Sequence, residues 1–189
     1  TRNGVVKKVS LTNFINAKVR GIRALFLDEG DELLSCELIQ EGDEVMLVTK
    51  LGRGLRFRQE DVRAMGRASR GVRGIRLLGD DQVAGLLKVD NDKRILMITE
   101  NGQGKQVTFD SFTVHGRGTQ GQKIYRLGGK ANFIVGVLSV DDEDDVVCVT
   151  LMGQTLRVHV NAISIQGRNA AGVKVVKMKF NGDSIVAIA

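Results

Sequence analysis

The sequence predicts an all-β fold in which about four near-copies of one small sheet follow one another along the 189-residue chain. Three sequence blocks recur at intervals of about fifty residues, each full copy contains four short β-patterned runs, and no stretch has helical periodicity beyond about two turns. A period of about 40–50 residues with four antiparallel strands per unit is typical of a propeller-like array of blades. We treat the chain as one domain whose copies one to four are residues 1–50, 51–100, 101–150 and 151–189.

The repeat is defined by three anchors that keep their register from copy to copy. The first anchor comprises residues 1–6, 51–56, 101–106 and 152–157. It sets Gly4 against Gly54. The second anchor begins at Gly21, Gly71, Gly121 and Gly172, and the third comprises residues 44–49, 94–99 and 145–150. Agreement of all three anchors indicates internal duplication of one structural unit.

Each copy is predicted to supply four strands. In copy two the β-patterned runs are residues 55–58, 72–77, 82–89 and 95–99. Apolar and cationic residues alternate in the first run, which predicts a strand with one face on the core and the other in water. Each full copy, copy one included, contains four such runs, and residues 33–39 of copy one are largely apolar. Turn signals separate the runs, among them Gly42-Asp43, Gly79-Asp80, Gly128-Gly129 and Asn181-Gly182.

The two ends of the array are predicted to be incomplete. Copy four ends in its third run, residues 185–189, so its last strand is missing and a sheet edge stays open. Either the segment 1–11 pairs with the last copy or flanking sequence covers that edge. The first residues lack the apolar stretch of a signal peptide, and we expect them to be the middle of a longer protein.

Composition excludes several classes of protein. Apolar residues make up 42% of the chain, which is too many for a disordered tail. No apolar run approaches the ~20 residues that a membrane helix needs. Cys36 and Cys148 lie in largely apolar runs and are predicted to be buried, reduced thiols of a cytosolic protein. With His115 and His159 they do not form the spacing of a zinc site.

Charge is segregated in register with the repeat. The net charge is +6 and the pI is about 9.5. The first halves of the copies, residues 1–27, 51–77, 101–127 and 151–178, hold 22 Lys/Arg against 3 Asp/Glu. The remainders hold 6 Lys/Arg against 19 Asp/Glu. The same side of every blade is therefore predicted to be basic, and blades around an axis would join these sides into a belt at the rim.

A repeating basic belt suits a repeating polyanion, because phosphates recur along a DNA duplex. Aromatic residues are only 4% and Trp is absent, so stacking of single-stranded bases is not indicated. We predict contact with the duplex backbone without base readout. The candidate DNA-binding residues are Lys7, Lys8, Lys18, Arg20, Arg23, Arg53, Arg56, Arg58, Arg63, Arg67, Arg70, Arg73, Arg76, Lys105, Arg117, Lys123, Arg126, Arg157, Arg168 and Lys174.

Other motifs in the sequence do not predict a catalytic site or a ligand-binding site. The G-x-G-x-x-G match at residues 116–121 does not lie between a strand and a long helix, so it does not predict a dinucleotide site. The acidic run 141–145 lacks the EF-hand pattern and is predicted to be a hairpin loop. Tyr125 shares its repeat position with Leu25 and Ile75 and is predicted to be a packing residue. We expect no catalytic residue, no metal ligand and no cofactor.

Four segments, residues 44–47, 62–66, 71–77 and 163–169, closely resemble the C-terminal domain of the bacterial DNA gyrase A subunit. The likeness covers essentially the whole chain. It implies a β-pinwheel, a propeller-like disc of about six blades that exchange strands. It also implies wrapping of duplex DNA round the basic perimeter with positive handedness, which presents a segment for strand passage in a type IIA topoisomerase. The implied partners are the N-terminal part of the same polypeptide and the B subunit, which hydrolyses ATP, in a cytoplasmic A2B2 holoenzyme, while the isolated domain is expected to be a monomer.

The sequence departs from this family pattern in two respects. It has about four repeats instead of about six. It lacks the gyrase-A box, a Gln-Arg-Arg-Gly-Gly-Lys-Gly-like heptapeptide, and its nearest loops are residues 66–71 and 116–121. Such a chain is expected to bind DNA and to wrap it poorly. The alternatives are the corresponding domain of topoisomerase IV, a protein-interaction propeller and an enzyme of unknown type.

Overall fold

The computed structural model describes residues 1–128 and 132–189, so the predicted turn at Gly128-Gly129 lies partly outside the described residues. Copy one contributes β1 (Val5–Val6) and β2 (Glu44–Thr49), and copy two contributes β3 (Arg53–Arg58), β4 (Val72–Arg73), β5 (Val83–Lys88) and β6 (Arg94–Thr99). Copy three contributes β7 (Gln103–Thr108), β8 (Gln122–Lys123), β9 (Ile134–Val140) and β10 (Asp145–Thr150). Copy four contributes β11 (Thr155–His159), β12 (Val173–Lys174) and β13 (Ile185–Ile188). Four short 3-10 turns lie at Leu11–Phe14, Gln59–Asp61, Phe109–Ser111 and Val160–Ala162.

Each complete sheet takes its strands from three successive copies. The two four-stranded sheets have the orders β5-β2-β3-β8 and β9-β6-β7-β12, a third sheet has the order β13-β10-β11, and β1 pairs with β4. The fourth strand of one copy pairs antiparallel with the first and third strands of the next copy. The second strand of the copy after that pairs with the first strand. The all-β prediction and the strand-exchanged blades implied by the resemblance are therefore confirmed.

The central strands are apolar on both faces because each sheet packs between two neighbours. In β2 and β6, five of the six residues are buried. The side chains between consecutive sheets form three apolar clusters, which centre on Phe57, Phe109 and Val146. Tyr125 is 1% exposed and belongs to the cluster around Phe109, which confirms its predicted packing role.

Copy one does not form the four predicted strands. Its second and third runs, residues 22–27 and 33–39, contain no strand, and Leu33 and Leu38 are exposed. In the later copies these runs pair with strands of the preceding copy, and the described residues contain no copy before the first. The prediction that Cys36 is buried is wrong, since Cys36 is exposed and its run forms no strand within residues 1–128. Cys148, on the central strand β10, is buried as predicted.

The first segment of the chain covers a different edge from the one predicted. β1 pairs with β4 of copy two, and Lys8 bridges to Ala64 of the same copy. Pairing of residues 1–11 with the last copy is therefore wrong, and in the described residues β11 has only β10 as its partner. No helix in the described ranges is long and apolar enough to cross a membrane.

Strand pairing corrects the alignment of the first anchor by two residues. Val5 pairs with Arg73 in the same way that Arg53 pairs with Lys123. Gly4 is therefore equivalent to Gly52, not to Gly54. Gly4 and Gly52 also share a positive φ, +83° and +80°, because both turn the chain into a first strand. The first strands of copies one and two are thus 48 residues apart, which places Lys7 on the position of Leu55 and Lys105.

Candidate nucleic-acid interface

Two basic side chains recur at equivalent, exposed positions in copies two to four. Arg73, Lys123 and Lys174 each pair with the first residue of a first strand of the preceding copy. Three residues further along are Arg76, Arg126 and Lys177. All six side chains are exposed, and we call them the cation row. The row repeats because strand exchange places the second strands β4, β8 and β12 at the edge of a sheet.

The predicted cations differ widely in exposure. The exposed candidates are Lys18, Arg20, Arg23, Arg58, Arg63, Arg70, Arg73, Arg76, Lys123, Arg126, Arg157 and Lys174. The half-buried candidates are Lys7, Lys8, Arg53, Arg56, Arg67, Arg117 and Arg168. Lys105 is fully buried. The basic runs are therefore partly a surface and partly a set of internal contacts.

One repeat position uses its polar side chain to join successive blades. Lys8, Arg56 and Gln106 each donate to the backbone oxygen of the first residue in the 3-10 turn of the following copy, at 2.9, 2.7 and 2.9 Å. Their acceptors are Gln59, Phe109 and Val160. Arg56 also donates from Nε to Glu44 at 2.6 Å. Each of these carbonyls also accepts from the backbone amide three residues further on, so the side chain adds a second hydrogen bond that joins the two blades.

The loop before each second strand carries an arginine, namely Arg67, Arg117 or Arg168. Arg117 donates from Nε to the Asp61 oxygen at 2.7 Å and from Nη1 to the Arg73 oxygen at 3.0 Å. Arg168 lies 5.8 Å from the Phe112 ring centroid and donates to Gln122. The arginines of copies three and four therefore brace the loop against the preceding copy.

Copies two to four share three features: they exchange strands, their second strands lie at a sheet edge, and the cation row lies on these strands and just after them. The family described as "DNA gyrase C-terminal domain, beta-propeller" matches residues 1–40, 43–90, 93–141 and 144–189. The chain belongs to this family. This confirms the resemblance that the sequence carried.

Curated members of the gyrase family are similar to the chain over nearly all of its length. The DNA gyrase A subunit of Treponema pallidum is 63% identical over 179 residues, which are 95% of this chain and 22% of that protein. The DNA gyrase A subunit of Brachyspira hyodysenteriae is 53% identical over 94% of the chain and 21% of that protein, and that of Chlamydia pneumoniae is 37% identical over 100% and 23%. The chain thus spans about a fifth of the relatives it matches.

Two solved structures have the same fold. A DNA gyrase A C-terminal domain superposes with a TM-score of 0.86 at 26% identity, over 99% of this chain and 62% of that one. The C-terminal domain of a DNA topoisomerase IV superposes with a TM-score of 0.91 at 24% identity, over 100% of this chain and 59% of that one. The gyrase C-terminal fold therefore accommodates the four copies without rearrangement.

The prediction that Lys105 contacts DNA is wrong. Its Nζ donates to the backbone oxygens of Gly167, Arg168 and Ala170, and the side chain is 0% exposed. An ammonium has three N–H donors, so none remains for a phosphate. Arg56 is likewise committed to Glu44, with 11% of its side chain exposed.

Carboxylates of the acidic remainders pair both with cations of another remainder and with cations of a basic half-copy. Asp142 pairs with Arg94, and Asp145 pairs with Arg157. A hydrogen bond from Lys88 holds the pKa of Asp43 below its usual range. Residues 141–144 connect β9 and β10, which lie in different sheets and do not pair with each other, so the acidic run is a turn between blades and the predicted hairpin loop is wrong. Lys177 belongs to the basic run of copy four but was not among the predicted contacts, and only its equivalence to Arg76 places it in the cation row.

Proposed function

We propose that the chain binds and bends duplex DNA through its phosphates, without sequence preference, as the wrapping domain of a gyrase. The observation that carries this proposal is the cation row, in which Arg73, Lys123 and Lys174 occupy one repeat position and Arg76, Arg126 and Lys177 another. Cations that recur at equivalent positions of successive blades suit a backbone whose charges also recur.

Contacts between the cation row and phosphates can offset the cost of bending DNA at moderate salt. Bending a duplex of about 20–30 base pairs through 40–90° costs on the order of 1–6 kcal/mol. Six cations that each neutralise a phosphate would release counterions and give a salt dependence of about 5 in the slope of log affinity against log salt. Arginine adds bidentate contacts to phosphate oxygens, so the copy with Arg73 and Arg76 is expected to bind most tightly.

The wider role follows from the relatives, of which this chain spans about a fifth. We propose that the domain presents a DNA segment for strand passage by the rest of a gyrase A polypeptide. ATP hydrolysis on a B subunit in an A2B2 assembly of the bacterial cytoplasm would then drive negative supercoiling. The proposal gives this chain no catalytic residue and no cofactor, and it treats the isolated domain as a monomer.

Fluorescence anisotropy with a labelled duplex of about 40 base pairs tests binding. The measured affinity depends on the length of duplex that is bound and on the number of phosphates that the cations contact. We expect a steep loss of affinity with added salt and equal affinity for a scrambled duplex of the same length. Flat salt dependence would contradict the proposal and favour a protein-interaction propeller.

Ligation of nicked circular DNA in the presence of the chain tests wrapping. A positive shift in linking number supports a gyrase-type domain, and a family domain that contains the gyrase-A box is the matched reference. We expect a smaller shift per bound chain than the reference gives. Binding without any shift would overturn wrapping and favour a topoisomerase IV-type role.

A further inference from the structure

One position on the first strands alternates between lysine and leucine along the repeat. Strand pairing sets Leu55 against Leu47, Lys105 against Met97 and Leu156 against Cys148, and these partners occupy one position of the fourth strands. Lys7 takes the same place in copy one, 48 residues before Leu55. The series from copy one to copy four is therefore Lys7, Leu55, Lys105 and Leu156.

Lys105 places its ammonium inside a loop of the following copy. Nζ donates to the oxygens of Gly167, Arg168 and Ala170 at 2.9, 2.8 and 3.0 Å. It also lies 4.8 Å from the centroid of the Tyr125 ring. All three N–H groups are used and the side chain is fully buried, so the ammonium cross-links the loop, and we call this arrangement the lysine clamp.

Lys7 makes a similar arrangement one half-array earlier. Its Nζ donates to the oxygens of Ala24, Arg67 and Ser69 at 2.8, 2.5 and 3.1 Å. Arg67 and Ser69 are the repeat equivalents of Arg168 and Ala170. Lys7 thus shares two of the three acceptors of the lysine clamp, while the third acceptor, Ala24, lies in copy one and the Lys7 side chain is half-buried.

Copy three shows the loop without a lysine. Leu55 offers no donor, and the loop at 116–121 is held by other contacts. Its Arg117 donates to Asp61 and Arg73, and the amide of Gly118 donates to the Gly74 oxygen at 2.6 Å. Leucine at this position is thus compatible with the fold, and the lysine is needed for the loop and not for the strand.

The loop that Lys105 holds lies against the cation row. The amide of Arg126 donates to the Ala170 oxygen at 3.2 Å, and Arg168 donates to Gln122, the neighbour of Lys123. We infer that Lys105 and Lys7 are positioning residues, whose Nζ groups hold the loops of Arg168 and Arg67 in place without contacting DNA, and that the Arg168 loop is thereby held against the cation row. The effect on DNA depends on the proposed function, whereas the ordering of the loops does not.

The surroundings of Lys105 couple opening of its loop to pH. Burial lowers the pKa of Lys105 to about 8. Tyr125 is the titratable group that faces it, and burial raises the pKa of Tyr125, which keeps that ring neutral. Within residues 1–128 and 132–189, no carboxylate lies within 4.0 Å of Nζ. An opened loop returns Nζ to water and to its ordinary pKa of 10.5, so above about pH 8 opening takes up a proton and becomes less favourable as pH rises.

Amide hydrogen exchange of the 189-residue chain tests the inference directly, with Lys105→Leu as the variant because Leu55 and Leu156 already occupy this position. Loss of three charge-assisted hydrogen bonds at neutral pH should lower protection of residues 167–172 by about tenfold or more, with the 66–71 loop unchanged. Lys7→Leu is the matched control and should give the reverse pattern. Protection within about twofold of the unmodified chain in both loops would overturn the inference, since such a change is below one hydrogen bond.

Two further measurements separate a clamp from a general structural role. In the unmodified chain, protection factors of the 167–172 loop should rise between about pH 8 and about pH 10, while those of the 116–121 loop, which has no lysine, should not. This needs no variant, so it remains decisive if Lys105→Leu fails to fold, and a flat profile would overturn the clamp. Affinity for duplex DNA should fall about threefold in Lys105→Leu, by loss of loop order. If the unmodified chain binds no duplex, the proposed function fails while the exchange data still decide the clamp.

Discussion

The Nε of Arg56 donates to a carboxylate oxygen of Glu44 at 2.6 Å across the β2–β3 hairpin. The side chains are 11% and 20% exposed, and Arg56 reaches on to the Phe109 oxygen of the next blade. A cation counted among the candidate DNA contacts is therefore part of the framework that joins two blades.

Replacement of Arg56 should destabilise the fold. Arg56→Gln leaves the Glu44 carboxylate mostly buried with its close partner gone, and we expect the free energy of unfolding to fall by about 2–4 kcal/mol. Urea denaturation followed by circular dichroism measures it. Arg58→Gln is the matched control, because Arg58 is 68% exposed and 4.0 Å from the same carboxylate, and it should have little effect. If both changes lower the free energy of unfolding equally, burial of the Arg56–Glu44 pair does not increase its contribution to stability.

Removal of two cations from the row should weaken DNA binding without loss of stability. Arg73→Gln with Arg76→Gln should lower affinity for a duplex about tenfold at moderate salt and reduce the salt slope by about 2, one for each lost phosphate contact. Lys93→Gln with Lys179→Gln removes the same charge outside the row. A control pair that weakens binding as much as the row pair would show that net charge, and not position, decides affinity.

The turn into β3 should not accept a side chain. Gly52 has a φ of +80°, and a Cβ on it would lie 2.9 Å from the backbone carbonyl oxygen of Tyr125 in the neighbouring blade. We expect Gly52→Ala to cost about 2–4 kcal/mol in thermal or urea unfolding, from backbone strain and the collision together. Gly79→Ala has a positive φ of +57° with nothing within 4 Å, so it isolates the strain and should cost about 1 kcal/mol. If both changes lower the free energy of unfolding by a similar amount, the collision with Tyr125 makes no contribution.

The global stability should rise with pH where Lys105 loses its proton. The folded chain releases this proton as its pKa of about 8 is passed, while the unfolded chain keeps it up to the ordinary pKa of 10.5. The unfolded state therefore binds more protons between these values, and stability increases with pH. We expect the free energy of unfolding, relative to Lys105→Leu, to rise by about 1–3 kcal/mol over this window. A relative stability that stays constant or falls would mean that Lys105 keeps its proton in the folded chain.

Much of the fold could be predicted because repeated strands leave a pattern in the sequence. The runs of copy two at 55–58, 82–89 and 95–99 lie close to β3, β5 and β6. The second run was predicted to extend over 72–77 but forms the two-residue strand β4, since only its first residues pair with a neighbouring copy. The run 33–39 has the same apolar pattern and forms no strand, because a strand needs a partner that a local pattern does not reveal.

The sequence shows which parts of the chain are rich in lysine and arginine, but it does not show which of these residues are exposed at the surface. Arg73 and Lys105 both stand in basic half-copies, yet one is exposed and the other is buried among carbonyls. A lysine between polar residues on a strand gives no sign that a loop from the next copy will cover it. That information is held in the packing of one blade on another.

The repeat, the β class and the segregation of charge can all be read along the chain, because strand periodicity, turn residues and charge runs are local properties. Which copy supplies each strand is decided only when the blades pack. The strand pairing in the packed blades shows that Gly4 is equivalent to Gly52, and that Lys7 and Lys105 occupy the same repeat position. Hydrogen bonds between strands of different copies fix the register, and a shift of two residues preserves the apolar pattern while it changes every neighbour.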